Sequence, residues 1–367
     1  MSFIYSIKTD VPAFKHTQID VYNAIAPHFP EDKLDIVKRI FNNAQVESRY
    51  FGADINTLVE WTANNKLENK FRLWEQESML YFGKQIEETL NQSGLDALDI
   101  DAICINSSTG MMVPDLGVLL ADRFGFRSDI TRYPFFGYAC GGGIMALNRM
   151  IDYLKLYPKK CVLFCCGETV GQHVELEYSM NSIIHDALFG DGYATLLLVG
   201  AEHPLSDSHV MEFLGSSTHL ATLGRQTAKY HMGDGGFKGH LGANLPEVIR
   251  KNISIPVNKL KAEVHVEDID NYVFHYGGPK IMDVVQEELG LTDDDVAIST
   301  HTYRSRGNQS SVSVLSCLDE TLKRSTEKGT ALMMAVAPGI TIEMIYCNLV
   351  PKQNVKKAAI QHELVAV

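Results

Sequence analysis

The chain has 367 residues, is 45% hydrophobic and carries a formal net charge of −12. Such a length buries more than one simple domain's core, and the acidic balance excludes a nucleic-acid binder, which needs clustered Lys and Arg. The longest apolar runs, such as 161–166 and 331–336, are strand-length, so no membrane partner or membrane-spanning helix is expected.

The N-terminus, 1–8, lacks a basic region followed by a long apolar run, and no signal peptide is read. Seven cysteines without scaffold spacing suit a reducing cytoplasm. With no CxxC pair, no metal site is expected.

Helical periodicity predicts helices over 71–93, 116–124, 144–156, 279–289 and 311–323. Strand-like runs lie at 102–106, 161–166, 194–199, 272–275, 330–336 and 341–349. Strands alternating with helices imply an α/β protein with covered sheets. A Pro-, Ser- and Asp-containing stretch at 202–208 divides the chain into halves, 1–207 and 208–367. The stretch 351–367 reads as a tail or a strand extension.

Cys140 ends the apolar run 135–140 and precedes Gly141, Gly142 and Gly143. A strand, a tight turn and a helix would set its thiol at a helix N-terminus, where a thiolate is favoured. The glycines would leave room for an acyl group beside the sulfur. A buried structural cysteine fits the local pattern equally well.

Two downstream segments offer partners. His275 follows a strand and enters Gly277-Gly278-Pro279. Asn308 follows Gly307 and precedes Ser310 and Ser311 at a helix start. Taken alone, each is equally a packed histidine or a capping turn.

Together these segments resemble the Cys-His-Asn set of the type III polyketide synthases, the chalcone synthase-like family. Further segments agree in order: 108–114, Ser-Thr-Gly-Met-Met-Val-Pro; 187–192, Ala-Leu-Phe-Gly-Asp-Gly; and 337–343, with Ala-Pro-Gly. The resemblance implies a thiolase-like fold, two similar halves in αβαβα layers, and a homodimer. It implies Cys140, His275 and Asn308 as catalytic residues, no cofactor, and acyl-CoA starter and malonyl-CoA as substrates. Cys140 and His275 would form a thiolate–imidazolium pair. Iterative condensation would give a polyketide, open-chain or cyclised to a pyrone or phenolic ring.

By the same resemblance, Phe189 is a gate, and Ser310, Ser108 and Thr109 line the cavity. Arg49, in Arg49-Tyr50, would bind CoA; Lys38 and Arg39 read equally as a solvated helix face.

Several positions depart from the family pattern. Gly239 stands where a second gating aromatic usually lies, with Phe237 two residues earlier. Val170 and His173 follow the motif glutamate Glu168, and His173 could bond a polyketide oxygen. Ala335 and Ala337 add methyls beside the cyclisation chamber. A ketoacyl synthase, a hydroxymethylglutaryl-CoA synthase-like enzyme and a cysteine acyl-CoA hydrolase remain alternatives.

Overall fold

The computed structural model describes residues 1–352 except Leu223, Asp234, Gly235, Glu267 and Asp268. Most of the stretch 351–367 therefore lies outside the described residues.

Side-chain alternation builds the layers. In strand Gly329–Ala337, Ala331, Met333 and Ala335 enter one apolar core, while Leu332 and Met334 enter another. In strand Cys161–Thr169, Val162, Phe164 and Cys166 face one core and Cys161, Leu163 and Cys165 the opposite one. A strand buried on both faces reads as a continuous apolar run, because its period-2 alternation separates two apolar sides.

Nine strands form a mixed sheet. The order from one edge is Asn271–Phe274, Gly329–Ala337, Thr341–Leu349, Met211–Leu220, Ser2–Asp10, Asp191–Gly200, Cys161–Thr169, Ala102–Asn106 and Thr131–Phe135. The first four come from the second half of the chain and the other five from the first. Within the sheet, among the described residues, the two groups join where Phe3 and Ile4 pair with Glu212 and Met211.

Helices Gly142–Leu156 and Ser313–Arg324 share one core with strands of both halves. Helices Leu67–Ser93 and Leu116–Phe124 cover the outer face of the first half. Helices Ser254–Glu263, Pro279–Leu289 and Ala297–Arg306 cover the second. The result is the αβαβα layering of a thiolase-like fold. Among the described residues, no helix is long and apolar enough to cross a membrane.

Candidate active site

Strand Thr131–Phe135, a 3-10 turn at Ala139–Gly141 and helix Gly142–Leu156 carry Cys140, in the predicted order. Ala139 has φ 41°, a conformation that strains a residue with a Cβ. Its N–H donates to Ser108 Oγ at 2.9 Å.

The glycines after Cys140 serve packing rather than clearing space for an acyl group. A Cβ on Gly141 would lie 2.7 Å from Ala337 Cβ, and one on Gly142 2.7 Å from the Asn106 amide. One on Gly143 would lie 2.3 Å from the Ser311 carbonyl oxygen.

His275 follows strand Asn271–Phe274, and its N–H donates to the Met334 carbonyl at 2.8 Å. Asn308 follows Gly307, whose φ of 70° breaks the preceding helix. The Asn308 N–H donates to the Leu188 carbonyl at 2.8 Å, and Gly190 N–H donates to the Asn308 carbonyl at 3.0 Å. These bonds form a parallel bridge between Phe189 and Asn308.

The Asn308 side chain is oriented as well. Its Oδ1 accepts the Ser310 N–H at 2.9 Å, and Nδ2 lies 3.4 Å from the Gly277 carbonyl. The amide N–H pair is thereby turned toward the chain just beyond His275.

Cys140, His275 and Asn308 line one cavity of about 380 Å³, with Phe189, Tyr230 and Ala337 among its apolar walls. Burial pushes the Cys140 thiol up to about 12; Glu168 adds to the rise and a Ser310 hydroxyl bond opposes it. Burial pushes the His275 imidazole down to about 4. The expected lowering of the thiol at a helix N-terminus is therefore overridden by burial. Each group is neutral when it stands alone, in contrast to the thiolate–imidazolium pair expected from the resemblance.

Residues 8–228 match the FAE1/type III polyketide synthase-like protein family, and residues 216–351 match the chalcone and stilbene synthases, C-terminal domain. The first match alone covers more than half of the chain. The chain belongs to the type III polyketide synthase-like family.

A 1,3,6,8-tetrahydroxynaphthalene synthase from Streptomyces peucetius subsp. caesius is 26% identical over 93% of this chain and 92% of its own. A putative chalcone synthase from Bacillus subtilis is 27% identical over 94% and 98%. The crystal structure of 1,3,6,8-tetrahydroxynaphthalene synthase from Streptomyces coelicolor A3(2) superposes with a TM-score of 0.86 at 24% identity. That match covers 95% of this chain and 99% of the other. This type III polyketide synthase is an acyltransferase of the decarboxylative Claisen-condensing kind, and its homologues use acyl-CoA and malonyl-CoA as a general kind of substrate.

Other expectations need correction. Arg49 is fully buried. Its guanidinium donates to the carbonyls of Asp186, Ala187 and Phe189 and to Gln18. A cation enclosed in this way does not reach a CoA phosphate; it holds the backbone under Phe189. Ser108 and Thr109 are not cavity walls. Ser108 Oγ accepts from Ala139, while Thr109 Oγ1 donates to Glu168 at 2.8 Å.

Ser310 is buried behind Cys140, with its hydroxyl bonded to the thiol. His173 lies outside the lining as well. Its Nε2 is 3.0 Å from the Thr109 carbonyl, and burial, aided by Lys70, lowers the imidazole to about 3. Phe237 packs edge-on against that ring. Gly239 does not line the cavity, and its N–H donates to Glu175 Oε1 at 3.1 Å. Phe189 does line it and packs edge-on with Tyr230, their centroids 6.3 Å apart.

Sequence reasoning missed Tyr230 and Lys280, which both line the cavity. Tyr230 lies on strand Ala228–Gly233, directly across from Gly239 on Gly236–Leu241. The Gly-Asp-Gly-Gly run at 233–236 is a hairpin signal that pointed to this pairing.

Proposed function

We propose that Cys140 carries the growing acyl chain, and that His275 and Asn308 stabilise the enolate made from malonyl-CoA. The observation supporting this is that the three side chains, drawn from both halves, line one largely apolar cavity. The thiol proton of Cys140 passes to the imidazole of His275 as the sulfur attacks the starter thioester. The new S–C bond replaces the bond to CoA, which leaves as the thiol and takes up the proton.

Malonyl-CoA then loses CO2, and its electron pair is held as an enolate on the thioester oxygen. The Asn308 N–H and the neutral His275 N–H donate to that oxygen. Carbon–carbon bond formation releases the Cys140 sulfur. The β-ketoacyl chain is now on CoA and Cys140 is a thiolate, which attacks that thioester for another round and expels CoA as the leaving group.

The CoA arm enters where Asn43, Met180 and Lys280 line the cavity. Lys280 is exposed and, unlike Arg49, is available to a phosphate. Arg39 lies one turn before Asn43 on helix Leu34–Asn43 and adds a second cation on that side.

A second copy of the chain is the partner this surface suits. Edge strand Thr131–Phe135 has one neighbour, Phe136 and Tyr138 just after it are exposed, and so are Met111 and Val113. Such an edge and apolar patch favour pairing with an identical surface. Seven free, buried cysteines fit a reducing cytoplasm.

The test is product mass spectrometry with malonyl-CoA and acetyl-, medium-chain, long-chain and aromatic acyl-CoA starters. Masses rising by ketide units, lost in Cys140→Ala, His275→Ala and Asn308→Ala, are expected. Starter hydrolysis with malonyl-CoA untouched would overturn this reading.

A further inference from the structure

Glu168 is fully buried near the end of strand Cys161–Thr169 and takes no place in the cavity wall. Its Oε1 accepts the Ser311 hydroxyl at 2.5 Å. Its Oε2 accepts the Ser108 N–H at 3.0 Å and the Thr109 hydroxyl at 2.8 Å. Each donor belongs to a segment holding one part of the chemistry.

Ser108 reaches the nucleophile: its hydroxyl oxygen accepts the N–H of Ala139, the strained residue just before Cys140. Ser311 reaches the amide. Its neighbour Ser310, itself at φ 51°, donates its N–H to Asn308 Oδ1 and bonds the Cys140 thiol through its hydroxyl. Ser311 also receives the Asn106 amide at 3.0 Å, and that amide packs under Gly142 at the start of the Cys140 helix. Two strained turns from opposite halves of the fold thus meet on one carboxyl group.

We propose that Glu168 is a positioning residue that couples the turn of Cys140 to the turn of Asn308, so that the acylated sulfur and the enolate meet at a set spacing. Each partial reaction needs only one turn: acylation or alkylation needs Cys140, and decarboxylation needs Asn308 and His275. Condensation needs both turns in register. A misplacement of about 1 Å at such a junction can cost about 100-fold.

The proposal rests on the Claisen reading above. It differs from a merely structural role because it predicts coupling between two serines 203 positions apart in sequence, Ser108 and Ser311. The experiment is a double-mutant cycle on condensation rate, using Ser108→Ala, Ser311→Ala and the double variant. The cycle is repeated in a Glu168→Gln background. Decarboxylation of malonyl-CoA and alkylation of Cys140 by iodoacetamide are measured on every protein, and thermal melting confirms folding.

Independent sites multiply to within about twofold. With Glu168 present, condensation in the double variant is expected to depart from the product of the single effects by more than threefold. In Glu168→Gln that departure should vanish, and condensation should fall more than either partial reaction. Multiplicative effects with Glu168 present would overturn the proposal, even if Glu168→Gln fails to fold. If the unsubstituted enzyme forms no ketide product at all, the Claisen reading has failed instead.

Discussion

Tyr230 and Gly239 face each other across a two-stranded hairpin, and the Tyr230 ring occupies the space a side chain at 239 would need. A Cβ there would lie 2.8 Å from Tyr230 Cε1. The aromatic that the family pattern seeks at 239 is thus supplied by the opposite strand. Tyr230 packs edge-on with Phe189 and tilts against His185.

Tyr230→Ala should enlarge the cavity and admit longer or bulkier ketide products, while Tyr230→Phe keeps the parent chain length. Mass spectrometry of products reads this directly, and identical products from Tyr230→Ala would refute it. Gly239→Phe forces a ring into the Tyr230 ring and should lower stability by about 1–3 kcal/mol.

Arg49 and Lys280 should behave as opposites. Arg49→Met leaves buried carbonyls of Asp186, Ala187 and Phe189 without their donor. The expected cost is about 1–3 kcal/mol, seen as a lower melting temperature. Lys280→Glu should leave melting unchanged and raise KM for CoA thioesters several-fold, with an effect that shrinks as salt increases. A KM effect in Arg49→Met with normal melting would restore the original assignment.

Asn308→Ala removes one donor to the enolate oxygen. Malonyl-CoA decarboxylation should fall about 100- to 1000-fold, the usual loss for such a donor. Alkylation of Cys140 should change little, because the thiol bonds to Ser310 rather than to Asn308. Release of 14C-labelled CO2 from malonyl-CoA separates the two effects.

Proton transfer between Cys140 and His275 has its own pH signature. In His275→Ala the thiol stands alone, pushed up to about 12 by burial. Its thiolate fraction, and so its alkylation rate, should then rise about tenfold per pH unit from pH 7 to 9 without a plateau. With His275 present, alkylation at pH 7 should be faster, because a thiolate and an imidazolium formed side by side stabilise each other beyond what burial allows either alone. Equal rates in the two proteins would remove His275 from the loading step.

Local signals were readable where a segment's fate depends on its own residues. Helices Leu116–Phe124 and Pro279–Leu289 match the sequence reading end for end. Asp115 caps the first, Pro279 starts the second, and Gly125 and Gly290 end them in left-handed conformations. The strand before Cys140 spans Thr131–Phe135, earlier in the chain than the apolar run 135–140, and it accommodates Pro134 because it lies at the sheet edge.

The sequence by itself determined the alternation of strands and helices, the turn that presents Cys140, and the motif set that names the family. Those depend on spacing within a few residues and on glycines that only close contacts require. Tertiary structure alone decided which cation is free, which aromatic reaches the cavity and which acid joins the two catalytic turns. Arg49, Tyr230 and Glu168 take their roles from partners far away in the chain, and burial by such partners leaves no periodic trace in the sequence.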